Sequence, residues 1–329
     1  MTRAVRAGMD FVSALDRGSL GGLARLCAPD ATWWVDTGPD RRGGDPDLAP
    51  YGSGRFPLHG LMRMDDKLAL MRSLGPHAFP TGCRQIPRRI VAGDDTCVIE
   101  VEGYGVHANG REYANRYGFV VDVDPTGAIV AVREYLDTAH AQHVVGDDAP
   151  VPRSSLDDPP HHVPPAPLDA PPVLATALAM WPALARGDLD AFGALFTADA
   201  TWWTDSGRRR DLGRHHGRGD LDANGPLHGR VAMSGKLAAM RALLAGGTYA
   251  SPGIAVTADR WIVDDTLVAV EAHGHAVLGG DARYQNRYLW IVDVRPGGIA
   301  EVREYCDTLH VTDLMGVAPV DRPTGEDHR

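Results

Sequence analysis

The chain has 329 residues, 44% of them hydrophobic and 23% charged, with a formal net charge of −10 at pH 7. That is enough apolar material for two ordinary domain cores. The acidic balance argues against a nucleic-acid grip or an anionic-membrane surface, and no apolar run approaches the ~20 residues that span a bilayer. The opening residues lack the continuous apolar stretch of a signal peptide. Four cysteines (Cys27, Cys83, Cys97, Cys306) show neither CxxC spacing nor a matching His pattern, which speaks against a disulfide framework or zinc site. No motif suggests a nucleotide, flavin or metal, so no cofactor is expected, and the expected location is cytoplasmic.

Internal duplication organises everything else. Ala-Thr-Trp-Trp at 31–34 recurs at 200–203, Pro-Leu-His-Gly at 57–60 recurs at 226–229, and Asn-Arg-Tyr at 115–117 recurs at 286–288. Val-Arg-Glu-Tyr at 132–135 recurs at 302–305, followed in both copies by Asp-Thr (Asp137-Thr138, Asp307-Thr308) and a histidine, His140 or His310. Four motifs in one order at nearly constant offset define two homologous domains, 1–145 and 173–316. A proline-rich linker is expected over 146–172 and a polar tail over 317–329.

Each repeat reads alike along the chain. Two short helices come first: in repeat 2 one is expected over 174–184, then Leu189, Phe192, Leu195 and Phe196 at helical spacing. A short strand carries Thr-Trp-Trp. Irregular segments rich in Gly, Arg and Asp follow at 38–56 and 207–225. A helix follows Pro-Leu-His-Gly. Strands are expected near 86–91, 96–107, 111–123 and 128–137, with counterparts near 254–257, 266–278, 283–294 and 299–307, the last two of each set separated by Asp124-Pro125-Thr126-Gly127 or Pro296-Gly297-Gly298. Helices before a mostly antiparallel sheet make an α+β domain.

The residues Val98-Ile99-Glu100, Tyr113-x-Asn115-x-Tyr117 and 129–138, with Val268-Ala269-Val270-Glu271, Tyr284-x-Asn286-x-Tyr288 and 299–308 in the second copy, resemble the SnoaL-like branch of the NTF2-like superfamily. That superfamily includes ketosteroid isomerase, limonene epoxide hydrolase and the polyketide cyclases. The resemblance implies cone-shaped domains with an apolar pocket between helices and sheet. It also implies pairing of the two copies as an intramolecular pseudo-dimer, alone or within a larger homo-oligomer.

The chain contains only two lysines against 31 arginines, and they are repeat-equivalent: Lys67 and Lys236. On a helical wheel Met64, Leu70, Met71 and Leu74 surround Lys67, and Met233, Ala239, Met240 and Leu243 surround Lys236. Each lysine therefore sits on an apolar arc, where it either snorkels or points inward at a carboxylate. Burial would lower its pKa, making it a base, an imine former or a hydrogen-bond donor; a structural Lys–carboxylate pair is the alternative. Glu100 and Glu271 are the expected partners. Strand alternation alone sets Glu271 on the face of Ala269 and His273, away from Val268 and Val270; the lysine's need for a counter-charge and the resemblance set it inside. In limonene epoxide hydrolase an acid at the place of Glu100 and Glu271 is the general base, and a second acid lies in the final strand, matching Glu134 and Glu304. The arginine between them in that enzyme is replaced here by Val98 and Ala269.

Substrate contacts are expected from Trp34 and Asp36, Trp203 and Asp205, as an apolar wall with a second acid. Asn115, Tyr117, Asn286 and Tyr288 are amide and phenol donors for an oxyanion. His59 and His228 precede the lysine helix and either titrate near neutrality or cap it; His273 has no histidine counterpart in repeat 1. Three functions remain open: a cofactor-independent isomerase or cyclase acting on a hydrophobic carbonyl-bearing small molecule, an epoxide-opening hydrolase or cyclase, and a non-catalytic small-molecule carrier.

Overall fold

The computed structural model describes residues 1–35, 60–145, 170–204, 229–248, 253–278, 283–308 and 310–311. Residues 146–169 of the proline-rich segment, the C-terminal tail, and Asp36, His59, Asp205 and His228 lie outside the described residues, and Pro172 of that segment opens a helix.

Repeat 1 runs α1 (Arg3–Asp16), α2 (Leu20–Leu26), β1 (Cys27–Val35), β2 (Gly60–Arg63), α3 (Met64–Ala78), β3 (Cys83–Ala92), β4 (Thr96–Val106), β5 (Glu112–Val123), β6 (Ile129–Leu136) and α4 (Thr138–Val145). Repeat 2 runs α5 (Pro172–Leu178), α6 (Met180–Ala185), α7 (Leu189–Gly193), β7 (Phe196–Thr204), β8 (Gly229–Ala232), α8 (Met233–Ala245), β9 (Ala255–Asp264), β10 (Leu267–Val277), β11 (Arg283–Arg295) and β12 (Gly298–Cys306). Each repeat folds one six-stranded sheet, ordered β2-β1-β6-β5-β4-β3 and β8-β7-β12-β11-β10-β9. The β1–β6 and β7–β12 pairs are parallel and the others antiparallel. Among the described residues no helix is long and apolar enough to cross a membrane.

Local chemistry sets the boundaries. Thr2 caps α1 by accepting from the Val5 N–H. The Asp124 carboxylate accepts from the N–H groups of Thr126 and Ala128, and Gly127 takes a left-handed φ of 91°, which closes the β5–β6 turn. Several elements differ from the sequence reading. The expected helix over 174–184 breaks at Ala179 into α5 and α6. Phe196 leaves the helix to open β7, where it pairs with Ile299. Strand β9 is longer than expected, extending to Asp264 through its pairing with β10. The short edge strands β2 and β8, and helix α4, carry too little periodicity to be seen in advance.

Both faces of each sheet are covered. Inside repeat 1, Phe11, Val12, Trp33, Leu68, Ile99, Phe119 and Val132 are buried together; Phe192, Trp202, Val270, Trp290 and Val302 are among their counterparts inside repeat 2. The opposite faces meet each other through Trp34, Val98, Val120, Tyr135, Trp203, Ala269, Leu289, Ile291 and Tyr305. Gly118 lies in this interface. A Cβ there would fall 2.3 Å from the Leu289 side chain and 3.6 Å from Tyr305. Gly118 and Leu289 are equivalent positions of the two repeats, so the fused chain solves a self-contact by placing a small residue in one copy and a large one in the other.

Charged groups complete the interface. Arg133 makes a bidentate pair with Glu271 at 2.6 and 2.9 Å, and Tyr135 donates to the same carboxylate at 2.8 Å. Reciprocally, Arg303 and Tyr305 donate to Glu100. Asp137 and Asp307 form an antiparallel bridge, with the Thr138 hydroxyl donating to Asp307 and the Thr308 hydroxyl donating to Asp137.

Replacing Gly118 by Val should destabilise the chain by about 1–3 kcal/mol through overpacking. Thermal unfolding should show a lowered midpoint, and adding Leu289→Ala should recover part of the loss. An unchanged midpoint in the single variant would contradict this packing.

Candidate active site

The site forms where helix α3 or α8 crosses the inner face of its sheet. Trp33 and Glu134 come from the parallel neighbours β1 and β6, on the face they share with Ala31, Val132 and Leu136. Lys67 descends from α3 and is only 2% exposed. The Trp33 indole donates to Glu134 Oε2 at 2.8 Å, Lys67 Nζ lies 3.7 Å from the same oxygen, and the ammonium stands 4.9 Å from the Trp33 ring centroid. Repeat 2 reproduces the arrangement. Trp202 donates to Glu304 Oε2 at 2.6 Å, Lys236 Nζ lies 3.5 Å from that oxygen, and it stands 4.9 Å from the Trp202 ring. One contact distinguishes the copies: the Thr204 hydroxyl donates to Glu304 Oε2 at 2.9 Å, where repeat 1 has Val35.

In each inner carboxylate the tryptophan indole and the nearest approach of the lysine ammonium both fall on Oε2, so this oxygen is anchored. Burial pulls the Lys67 ammonium below the ordinary lysine range, and the Glu134 charge opposes that shift.

Phenols and amides occupy the same interior. The Asn115 amide donates to the Tyr113 hydroxyl at 3.2 Å, and the Tyr113 and Tyr117 hydroxyls lie 2.5 Å apart. In repeat 2 Asn286 donates to Tyr284, whose hydroxyl lies 2.6 Å from that of Tyr288. Burial pushes Tyr117 and Tyr288 well above the usual phenol range, and the nearby charges of Glu134 and Glu304 push the same way. These tyrosines therefore stay protonated, as donors. Asn115 is committed elsewhere: it also donates to the Asp137 carbonyl and accepts from the N–H groups of Arg116 and Asp137. Asn286 likewise ties itself to the Asp307 backbone. The asparagines orient the tyrosines rather than facing a ligand. His140 and His310 stack on Tyr113 and Tyr284 at 5.5 Å, and the Ala114 N–H donates to His140 Nε2.

Of the residues singled out in the sequence, Lys67, Glu134, Tyr117, Lys236, Glu304 and Tyr288 are brought together. Glu100 and Glu271 are not. Strand alternation prevails over the expected lysine pairing, and both carboxylates point out of the site into the contact between repeats. Glu100 and Glu134 therefore lie on opposite faces of one sheet, as do Glu271 and Glu304, which removes the two-carboxylate geometry needed for epoxide opening. Trp34 and Trp203 also face outward, where Arg287 and Arg303 stand over their rings at 5.2 and 4.5 Å. His273 is on that face too, with Nδ1 2.8 Å from Asp259. The inward tryptophans Trp33 and Trp202, and the hydroxyl of Thr204, were missed. Alternation from Ala31 and Ala200 was the available signal.

The SnoaL-like domain model matches residues 9–132 and 177–302. The chain belongs to the SnoaL-like family. Each half of the chain carries one SnoaL-like match. An NTF2-like protein from Burkholderia pseudomallei is 22% identical, the match covering 44% of this chain and 98% of that one with a TM-score of 0.35. IdmH from Streptomyces antibioticus, described as a candidate polyketide cyclase, is 18% identical over 44% of this chain and 99% of its own, with a TM-score of 0.34. AclR from Streptomyces galilaeus, described as a candidate hydroxylase, is 14% identical over 45% of this chain and 97% of its own, with a TM-score of 0.33. No curated protein matches the chain.

Two lysines make a direct titration feasible. In a sample labelled at the lysine ζ-nitrogens, two signals are expected, and Lys67→Met assigns both. The Lys67 signal should titrate below the ordinary value of about 10.4. Between that lowered value and about 10.4 the unfolded chain binds more protons, so this group's contribution to stability rises with pH. Titration at or above the ordinary value would contradict the dry environment.

Proposed function

We propose that the chain is a cofactor-independent isomerase or cyclase acting by acid–base chemistry on a hydrophobic, carbonyl-bearing small molecule of polyketide or terpenoid type. The observation that carries this reading is the anchoring of Glu134 and Glu304 through Oε2 beside buried phenol donors. In each repeat Oε1 removes a proton from the carbon next to the substrate carbonyl. The C–H electron pair moves into an enolate. Oε2 stays fixed by the tryptophan N–H and the lysine, so the carboxylate keeps its orientation through the transfer. The developing oxyanion receives a hydrogen bond from Tyr117 or Tyr288, whose own oxygen accepts from Tyr113 or Tyr284, backed in turn by the asparagine amide. Returning the proton at another carbon isomerises the substrate. Attack of the enolate on a second carbonyl closes a ring. The family membership supports small-molecule chemistry of this class.

Hydrogen–deuterium exchange next to the carbonyl of 2-tetralone in D₂O tests the proton step without knowledge of the natural substrate. The wild-type chain should accelerate exchange, and the Glu134→Gln/Glu304→Gln double variant should lose about 10²–10⁴-fold of that acceleration. The single variants apportion it between repeats. Exchange that survives in the double variant would overturn the assignment of the base.

A further inference from the structure

The interiors of the two repeats differ in their indole donors as well as at Thr204. In repeat 2 the indole nitrogens of Trp181 and Trp290 are buried and have no hydrogen-bond partner among the described residues. Both side chains are more than nine-tenths buried, and their rings lie 5.2 Å apart. Trp290 also stands 6.1 Å from Trp202, which holds Glu304, and 5.0 Å from Tyr288. The two rings therefore extend the aromatic cluster around Glu304 and Tyr288. Burying an indole N–H without an acceptor is costly, and two such groups in contact call for a reason.

Repeat 1 has none of this. The position equivalent to Trp290 is Phe119, and the repeat offset places Val12 opposite Trp181. Phe119 packs 5.3 Å from Phe11 and 6.3 Å from Trp33, so an aromatic cluster is kept while the extra donors are absent. An aromatic cluster is thus packed in repeat 1 with no buried, unpartnered indole N–H among the described residues.

We propose that repeat 2 is the copy that binds the oxygenated part of a flat keto- or hydroxy-substituted ring system, with the Trp181 and Trp290 N–H groups donating to its oxygens. This rests on the reading of the helix–sheet interior as the ligand site and assigns its substrate class in one repeat. The aromatic faces of Trp181, Trp202, Trp290 and Tyr288 suit a flat ring. The two indoles add directional recognition that Phe119 and Val12 do not supply, so repeat 1 discriminates less between oxygenated and plain hydrocarbons.

The test uses the full chain, labelled with ¹⁵N at the tryptophan indoles, and two probes of nearly one shape: 9-fluorenone, which has a carbonyl, and fluorene, which does not. Fluorenone should bind about tenfold more tightly than fluorene and move the indole signals of Trp181 and Trp290, assigned with Trp181→Phe and Trp290→Phe. Each variant should reduce the preference and the double variant should abolish it. Phe119→Trp, a gain of donor in repeat 1, serves as a second route that does not depend on weakening a core. Equal binding of the two probes, a preference that survives in the double variant, or binding of neither probe would overturn the proposal. If the preference fails while 2-tetralone exchange still depends on Glu134 and Glu304, the ligand assignment is wrong and the catalytic reading stands. If the preference holds without such exchange, the reverse follows.

Discussion

Each sheet in this chain is buried on both faces, and that constraint governs everything else. A strand alternates its side chains between faces with period two, so every central strand must satisfy two interiors at once. One face packs on its own helices. The other packs on the sheet of the second repeat. A single-residue shift in register would exchange the two sets and place Trp33, Glu134 and Phe119 against the partner sheet.

The same constraint sorts the buried charges. Taking a carboxylate out of water is tolerable only with close, hydrogen-bonded partners. On the outer face arginines supply them, as planar forks matched to carboxylates: Arg133 to Glu271, Arg303 to Glu100. These bonds fix the two repeats together and use both oxygens or several donors. On the inner face lysine serves instead, as a point charge whose nearest approach is to the same oxygen that the tryptophan indole holds. Glutamates of one chemical type thereby acquire two roles. The difference lies in which cation meets them.

Much of this was legible in advance. The duplication, the order of elements and the inward placement of Lys67 and Lys236 followed from repeated motifs and from helical spacing. The lysines' partners did not. A wheel shows that a lysine points inward but not which strand passes beneath it. Glu134 and Glu100 both sit on central strands, and only the sheet order, with β6 between β1 and β5, puts Glu134 beside Trp33. Alternation had already set Glu271 outside. The lysine's need for a counter-charge is met by Glu304 on β12 instead, and the geometric rule prevails for Glu271. Thr204, Trp181 and Trp290 carry no recognisable motif. Their meaning comes from contacts that strand pairing creates.

The central claim is that the inner Lys–Glu pairs are kept for chemistry and not for stability. Its most direct test is calorimetric unfolding of the chain carrying Lys67→Met, Glu134→Gln, Lys236→Met and Glu304→Gln together. Glutamine retains an acceptor for each tryptophan, and methionine retains the lysine's volume. Removing paired charges from a dry interior in this way is expected to leave stability unchanged or raise it by about 1–4 kcal/mol, with catalysed proton exchange lost. A clear fall in the unfolding temperature with exchange intact would show that the pairs hold the fold together, and would contradict the account.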